Sequence, residues 1–296
     1  MQDVSFKHIT TDIISLPLFI EKKLDVYIVR LDSMHPLISG NKWFKLRFYL
    51  EEAQQTNQKH ILTFGGAYSN HIIATAAACK LYGFACTGII RGEEPAIHSP
   101  TLQQAASLGM QLIFVSRDDY AEKRIPDRLQ SNQYYIIPEG GYGECGARGA
   151  ATILDHCDRS AYTHILCAAG TGTMIAGLIN GVSPHQQVTG ISVLKNNHDL
   201  EIAVSTLVNA TEKKYSLLHD YHFGGYAKYK PALIDFMNKW YSATGIPSDF
   251  VYTGKLFFAF NDLALNNFFP AGSRILVIHS GGLQGNISLP NGMLNF

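Results

Sequence analysis

Charge is scarce in this sequence, and what there is cancels. Charged side chains make up 16% of the 296 residues, 24 basic against 24 acidic, for a formal net charge of +0. A chain without a basic field lacks the attraction a phosphodiester backbone requires, so nucleic acid is not an expected partner. Paired cysteine motifs are missing too. The five cysteines, Cys79, Cys86, Cys145, Cys157 and Cys167, are odd in number and form no C-x-x-C. That argues against a disulfide or zinc framework and for buried thiols in a reducing compartment, with no metal site. The opening Met1-Gln2-Asp3-Val4-Ser5-Phe6-Lys7 holds no apolar signal core. The uncharged stretch from Ile61 to Cys79 is interrupted by Gly65-Gly66, Ser69, Asn70 and His71, a poor composition for a lipid-facing span. A cytoplasmic protein without a membrane partner is the expectation. Nucleotide loops also fail. After Gly170-Thr171-Gly172 the third glycine of G-x-G-x-x-G is replaced by Ile175, and Thr173 is followed by Met174 rather than completing a Gly-Lys-Ser/Thr loop.

What the sequence does have is apolar material, 46% of residues, enough for a substantial core in one large domain or two ordinary ones. Short apolar runs alternate with helical patterns. Strands are expected at Asp25–Leu31, Ile61–Phe64, Ala85–Arg91, Gln111–Val115, Tyr135–Pro138, His164–Ala169, Val188–Val193 and Arg274–His279. Helices are expected at Lys45–Gln55, Ser69–Leu81 capped by Gly83, Ser99–Ser107, Gly146–Cys157 and Met174–Asn180. This alternation predicts an α/β fold with parallel sheets flanked by helices. Three strand-like runs lead into paired glycines, Gly65-Gly66, Gly140-Gly141 and Gly281-Gly282, and a fourth into Gly170-Thr171-Gly172. Ligands of open parallel sheets bind beyond the carboxyl ends of the strands, and glycine lets backbone approach them closely. Four such ends point to one shared crevice.

Two segments carry chemistry. Ala169-Gly170-Thr171-Gly172-Thr173 lies between a strand and a helix, where free N–H groups and two threonine hydroxyls can cradle a phosphate without a basic side chain. Lys42 follows the turn dipeptide Gly40-Asn41 and precedes Trp43-Phe44. An isolated lysine is ordinarily a solvated charge, but apolar cover lowers its pKa and frees the amine for a Schiff base. A reactive lysine and a phosphate cradle without a nucleotide signature indicate pyridoxal 5'-phosphate.

Six blocks in order resemble the 1-aminocyclopropane-1-carboxylate (ACC) deaminase/D-cysteine desulfhydrase family, a branch of the tryptophan-synthase-beta-like enzymes. They are Ser39-Gly40-Asn41-Lys42-x-x-Lys45-Leu46, Gly65-Gly66-x-x-Ser69-Asn70, Pro138-Glu139-Gly140-Gly141, Gly170-Thr171-Gly172-Thr173, Tyr252-Thr253-Gly254-Lys255 and His279-Ser280-Gly281-Gly282. The resemblance implies pyridoxal phosphate fold type II, with two open, twisted, mostly parallel sheets. It implies a large cofactor-binding domain from residues 1–44 and 153–296, a small α/β domain from 45–152, and a homodimer. It implies that Lys42 carries the cofactor and moves the Cα proton, and that Asn70 binds the phenolic oxygen. Ala169, Gly170, Thr171, Gly172 and Thr173 would hold the phosphate, and Ser69, with Asn70 and His71, the substrate carboxylate. Ser69 is alternatively a nucleophile. Tyr252 would act as an acid/base on the substrate side, and Thr253 and Ser280 would stand near the ring nitrogen.

In the deaminases of the family a glutamate follows the tyrosine and a leucine precedes the last glycine pair. Here these are Thr253 and Ser280. A hydroxyl polarises the ring nitrogen less than a carboxylate, which suits expulsion of a thiol better than opening of a cyclopropane. The favoured activity is therefore α,β-elimination from D-cysteine, a small amino-acid substrate. ACC deaminase is the alternative, and a non-catalytic pyridoxal-phosphate-binding protein the reading from another class. Tyr68 and His71 stand where the family usually has glutamine, beside the carboxylate site.

Overall fold

The computed structural model describes residues 9–35, 37–38, 40–130, 133–209, 212 and 214–296, apart from the side chains at 128 and 130. Ser39, which opens the lysine block, and the first seven residues lie outside the described residues. Ten strands form two sheets. Strands β1 (Thr11–Ile14), β2 (Asp25–Arg30), β7 (His164–Ala169), β8 (Gln187–Ser192), β9 (Lys214–Leu218) and β10 (Arg274–His279) make a six-stranded sheet in the order β1-β2-β10-β7-β8-β9. Strands β3 (His60–Gly65), β4 (Ala85–Arg91), β5 (Met110–Val115) and β6 (Tyr135–Ile137) make a four-stranded sheet in the order β5-β4-β3-β6. Among the described residues only β1 pairs antiparallel, on the edge beside β2.

The central strands read as continuous apolar runs because both faces are covered. On one face of the larger sheet, Val26, Ile28, Leu166, Ala168 and Val277 pack with Phe19 of α1 (Pro17–Glu21) and with Phe257 and Phe260 of a later helix, Thr253–Leu265. On the other face, one apolar cluster continues from Ile165, Cys167 and Leu276 through three helices into Ile61 and Ile90 of the smaller sheet. Those helices are α2 (Asn41–Gln55), α3 (Asn70–Tyr82) and Glu144–Ala151. Shared packing of this kind couples the two sheets directly. The uncharged stretch from Ile61 to Cys79 is a buried strand followed by a helix buried over nearly its whole length. No described helix is long and apolar enough to cross a membrane. The cysteines are free thiols, three buried and two half-buried.

Most expected elements form within a residue or two of their predicted bounds, and the exceptions have causes. The helix expected from Lys45 begins at Asn41, because Gly40 adopts φ 68° and ψ −151°, so the turn ends one residue earlier and Asn41-Lys42 enter the first helical turn. The helix expected to run from Gly146 to Cys157 spans Glu144–Ala151 and tightens into a 3-10 turn over Thr152–His156. The elements not foreseen are β1, β9 and the helices Pro17–Glu21, Arg117–Ala121, Asp127–Gln130, Leu200–Ser205, Pro231–Thr244 and Thr253–Leu265.

The helices between the sheets approach by backbone contact. A Cβ on Gly149 would lie 1.7 Å from the Phe44 carbonyl oxygen, and one on Gly146 would lie 1.9 Å from the Gly141 carbonyl oxygen. Only glycine fits there, since the obstacle is backbone rather than a side chain that can turn away. Gly149→Ala is expected to cost about 1–3 kcal/mol, as overpacked interiors do. Urea unfolding should show a lowered midpoint; an unchanged midpoint would mean that α2 can shift freely.

Candidate active site

The carboxyl ends of both sheets open onto one crevice of about 750 Å³. Gly66, Gly140, Gly170, Gly172, Gly281 and Gly282 all line it, so the four glycine-ended strands do meet at one place. Lys42 and Lys45 enter from the start of α2, three residues apart and on one helix face. Burial lowers the Lys42 amine to about 8, against the opposing pull of the Glu139 carboxylate. Burial also lowers Lys45 well below the usual lysine range, and the neighbouring Lys42 charge adds to the effect. Two desolvated amines with no carboxylate at ion-pair distance among the described residues make a site for an anion and a carbonyl.

The glycine-threonine segment forms another part of the wall. Gly172 takes a left-handed conformation at φ 82° before the helix Thr173–Gly181. Ala169, Gly170, Thr171 and Gly172 line the crevice, whereas the Thr173 side chain is fully buried and bonds Thr171 through the two hydroxyls at 3.0 Å. Thr173 thus steadies Thr171 rather than facing the crevice with its side chain. The Gly140 turn closes over the segment, since a Cβ there would meet the Thr171 methyl at 2.9 Å.

On the smaller lobe, Ser69 caps α3 by accepting hydrogen bonds from the His71 and Ile72 amides at 3.2 and 3.4 Å. Its own O–H remains available to donate to a ligand carboxylate at the helix start. The buried Oδ1 of Asn70 has no partner. His71 is a neutral imidazole, because burial and then the Lys42 and Lys45 charges hold its pKa well below 6.5. The Thr63 hydroxyl donates to the Ile137 carbonyl at 2.7 Å, so it must accept from His71 Nε2 at 2.8 Å. That leaves buried Nδ1 of His71 as an unpaired acceptor. His71 therefore offers an acceptor for an N–H or O–H, not a cation for a carboxylate.

The fourth wall carries Tyr252 and Ser280. Burial raises the Tyr252 phenol well above its ordinary range, with Tyr226 contributing, so it stays protonated. The two tyrosine rings meet edge to face at 6.2 Å. Thr253 is a correction to the sequence expectation. It is fully buried and absent from the crevice wall. Its hydroxyl donates to Asp249 Oδ1 at 2.7 Å and accepts from the Asp249 amide at 2.8 Å. Asp249 also binds the amides of Val251, Tyr252 and Thr253, capping the helix start. Of the two hydroxyls expected near a ring nitrogen, only Ser280 faces the crevice.

Sequence reasoning missed Lys45, Tyr226 and Glu139 as lining residues. Lys45 could have been found, since its spacing from Lys42 fits one helix face once the helix starts at Asn41. Tyr226 lies in a loop with no local pattern. The donor set fits pyridoxal phosphate: an amine for the aldehyde, a glycine-rich helix start and a second lysine for the phosphate, and an amide with an unmet oxygen for a ring substituent.

Comparison with known proteins agrees. The family model "Pyridoxal-phosphate dependent enzyme" matches residues 4–281. A putative ACC deaminase of Thermotoga maritima is 29% identical, over 88% of this chain and 89% of that one. A D-cysteine desulfhydrase of Salmonella newport is 26% identical, over 87% of each. A bifunctional D-cysteine desulfhydrase/ACC deaminase of Arabidopsis thaliana, mitochondrial, is 27% identical, over 88% of this chain and 73% of that protein. The crystal structure of an ACC deaminase homologue superimposes with a TM-score of 0.78 at 27% identity, covering 96% of this chain and 91% of that one. The chain belongs to the pyridoxal-phosphate dependent enzymes, within the group that holds the ACC deaminases and D-cysteine desulfhydrases.

Proposed function

We propose that this lyase catalyses α,β-elimination from D-cysteine, giving pyruvate, ammonia and hydrogen sulfide. The observation that carries the reading is the scarcity of carboxylates around the crevice. Among its lining residues Glu139 is the single acid, and it is tied to Lys123 at 2.5 Å. At the Ser280 wall there is a hydroxyl, and the nearby Asp249 is turned into backbone and Thr253. Such a wall polarises a ring nitrogen weakly, which is enough where a good leaving group departs.

When bound, pyridoxal phosphate supplies the electron sink for charge developing at the substrate Cα. The chain's residues do the rest. Lys42 would hold the cofactor through its amine, and its neutral Nζ would accept the Cα proton. Lys45 and the Thr171 wall would hold the phosphate, and the Ser69 hydroxyl with the α3 amides the substrate carboxylate. The Cβ–S bond breaks with its electron pair on sulfur, and the protonated Tyr252 phenol lies on the substrate side to supply a proton. The enamine that remains hydrolyses to pyruvate and ammonia. The relatives named as putative ACC deaminases favour that activity as the second reading.

Purified holoenzyme should release sulfide and pyruvate in equal amounts from D-cysteine, with little 2-oxobutanoate from ACC. The reverse preference would mean that the Ser280 wall had been over-read. The amine environment gives a second expectation. Only neutral Lys42 attacks a carbonyl, so cofactor uptake by the apoprotein should speed up as pH rises through about 8. Stopped-flow absorbance checks this. A midpoint near the ordinary lysine value of about 10.4 would show that burial does not depress the group. Lys42→Ala should abolish the visible band altogether.

A further inference from the structure

Beside the crevice lies a second cavity, of about 430 Å³, lined by Arg91, Arg117, Tyr120, Ala121 and Lys123. Arg91 ends β4 and Arg117 follows β5, so neighbouring parallel strands deliver both guanidinium groups to the same edge. Both arginines also line the crevice itself, so the two spaces adjoin at these side chains. The Arg91 guanidinium comes within 4.0 Å of the Cβ position of Gly66, three residues before the Ser69 cap. It therefore stands near the Ser69 cap proposed for the substrate carboxylate.

The charges here are unequally matched. Lys123 pairs with Glu139 at 2.5 Å and also stands over the Tyr120 ring at 3.9 Å. Asp119 and Glu122 are engaged by Arg124. Neither Arg91 nor Arg117 has an acid within salt-bridge distance among the described residues. Tyr120 is 4% exposed, and its hydroxyl makes no hydrogen bond although it lines the cavity. Burial, reinforced by the Glu139 charge, raises that phenol's pKa and keeps it a donor. A buried donor without a partner costs about 1–3 kcal/mol unless something fills it. The neighbouring acid, Glu139, is held by Lys123, so two guanidinium forks without an ion-pair partner, beside a phenol donor, match the geometry of a carboxylate or sulfonate.

We propose that Arg91, Arg117 and Tyr120 form a second anion site, which selects amino acids whose β-substituent ends in an anionic group. The substrate's own carboxylate binds at the Ser69 cap, and the distal anion reaches the arginines at the mouth. For a substituent joined through sulfur, the Cα proton passes to Lys42, and the Cβ–S bond breaks. The electron pair then leaves on a thiolate that keeps its anionic tail. This rests on the lyase reading for the chemistry but not for the binding.

The test separates the two. Holoenzyme is titrated calorimetrically with glutarate and with pentanoate, acids of equal length that differ in the distal carboxylate. Glutarate should bind at least about tenfold more tightly, the worth of one good charge-assisted contact. Arg91→Gln with Arg117→Gln should remove that preference, and Tyr120→Phe should reduce it. Equal affinities in the unaltered enzyme, or an equal loss for both acids in the double variant, would overturn the site. A parallel assay compares pyruvate release from S-carboxymethyl-D-cysteine and S-ethyl-D-cysteine. A higher kcat/KM for the carboxymethyl compound, lost in the double variant, supports the selection. The opposite order refutes it. Should both compounds and D-cysteine prove inert while the glutarate preference stands, the desulfhydrase reading fails and the anion site does not.

Discussion

Lys42 stands where it does because Gly40 has no side chain. A Cβ on Gly40 would fall 1.8 Å from the Ser280 carbonyl oxygen. Its backbone is left-handed, and the next amide, of Asn41, donates to that same oxygen at 3.1 Å. One contact thus fastens the start of α2, at Gly40, to Ser280 just past the end of β10. It brings Lys42 and Ser280 to the lining of one crevice. The contact also fixes where the helix begins, and with it which residues share the Lys42 face. Gly141 extends the device, since its Cβ would meet that of Lys45 at 2.9 Å. Close backbone approach is what lets two sheets present their strand ends to one small ligand.

Around that contact the electrostatics follow from burial. Lys42, Lys45 and His71 are all pushed toward their neutral forms, chiefly by desolvation, and each positive charge raises the cost of the next. For a lysine with a lowered folded-state pKa the penalty on stability is complete at pH below that value and fades toward the unfolded value of about 10.4. Without the cofactor, protonation of these amines therefore weakens the fold at neutral pH. A dianionic phosphate offsets that cost, so the same groups that weaken the apoprotein favour the cofactor. The glycine-threonine wall adds dipoles rather than charge, which avoids a further buried ion.

Much of this was legible in the chain. Glycines after apolar runs marked the strand ends, because a parallel sheet needs continuous burial and a close-fitting ligand needs bare backbone. Lys42 was legible from its turn and its apolar neighbours. Direction was harder to read. Thr253 and Ser280 look alike in sequence, yet one hydroxyl faces the crevice and the other faces a buried carboxylate. The clue was Asp249, four residues before Thr253, a spacing at which an aspartate can cap a helix start and bind the threonine in its first turn. Tyr226, Arg91 and Arg117 come from separate loops and strand ends, and only the sheet order brings them to the site.

Asp249 also explains how the tyrosine wall is held. It is fully buried, and desolvation raises its pKa while four hydrogen bonds from Val251, Tyr252 and Thr253 pull it down. Lys255, two residues beyond Thr253, is likewise buried, its amine lowered to about 8 by desolvation and raised by Asp249. That amine donates to the Gly225 carbonyl at 2.7 Å, next to Tyr226. The acid thus fixes the backbone of one tyrosine and the lysine fixes the loop of the other. A frame built from ionic groups holds its geometry at some cost in stability, because hydrophobic packing of equal volume would be cheaper. What it provides is directional: Asp249 fixes the amides of Val251, Tyr252 and Thr253, and Lys255 fixes the carbonyls of Val193 and Gly225. That wall then carries no carboxylate facing the crevice, and Ser280 is left as a hydroxyl lining it.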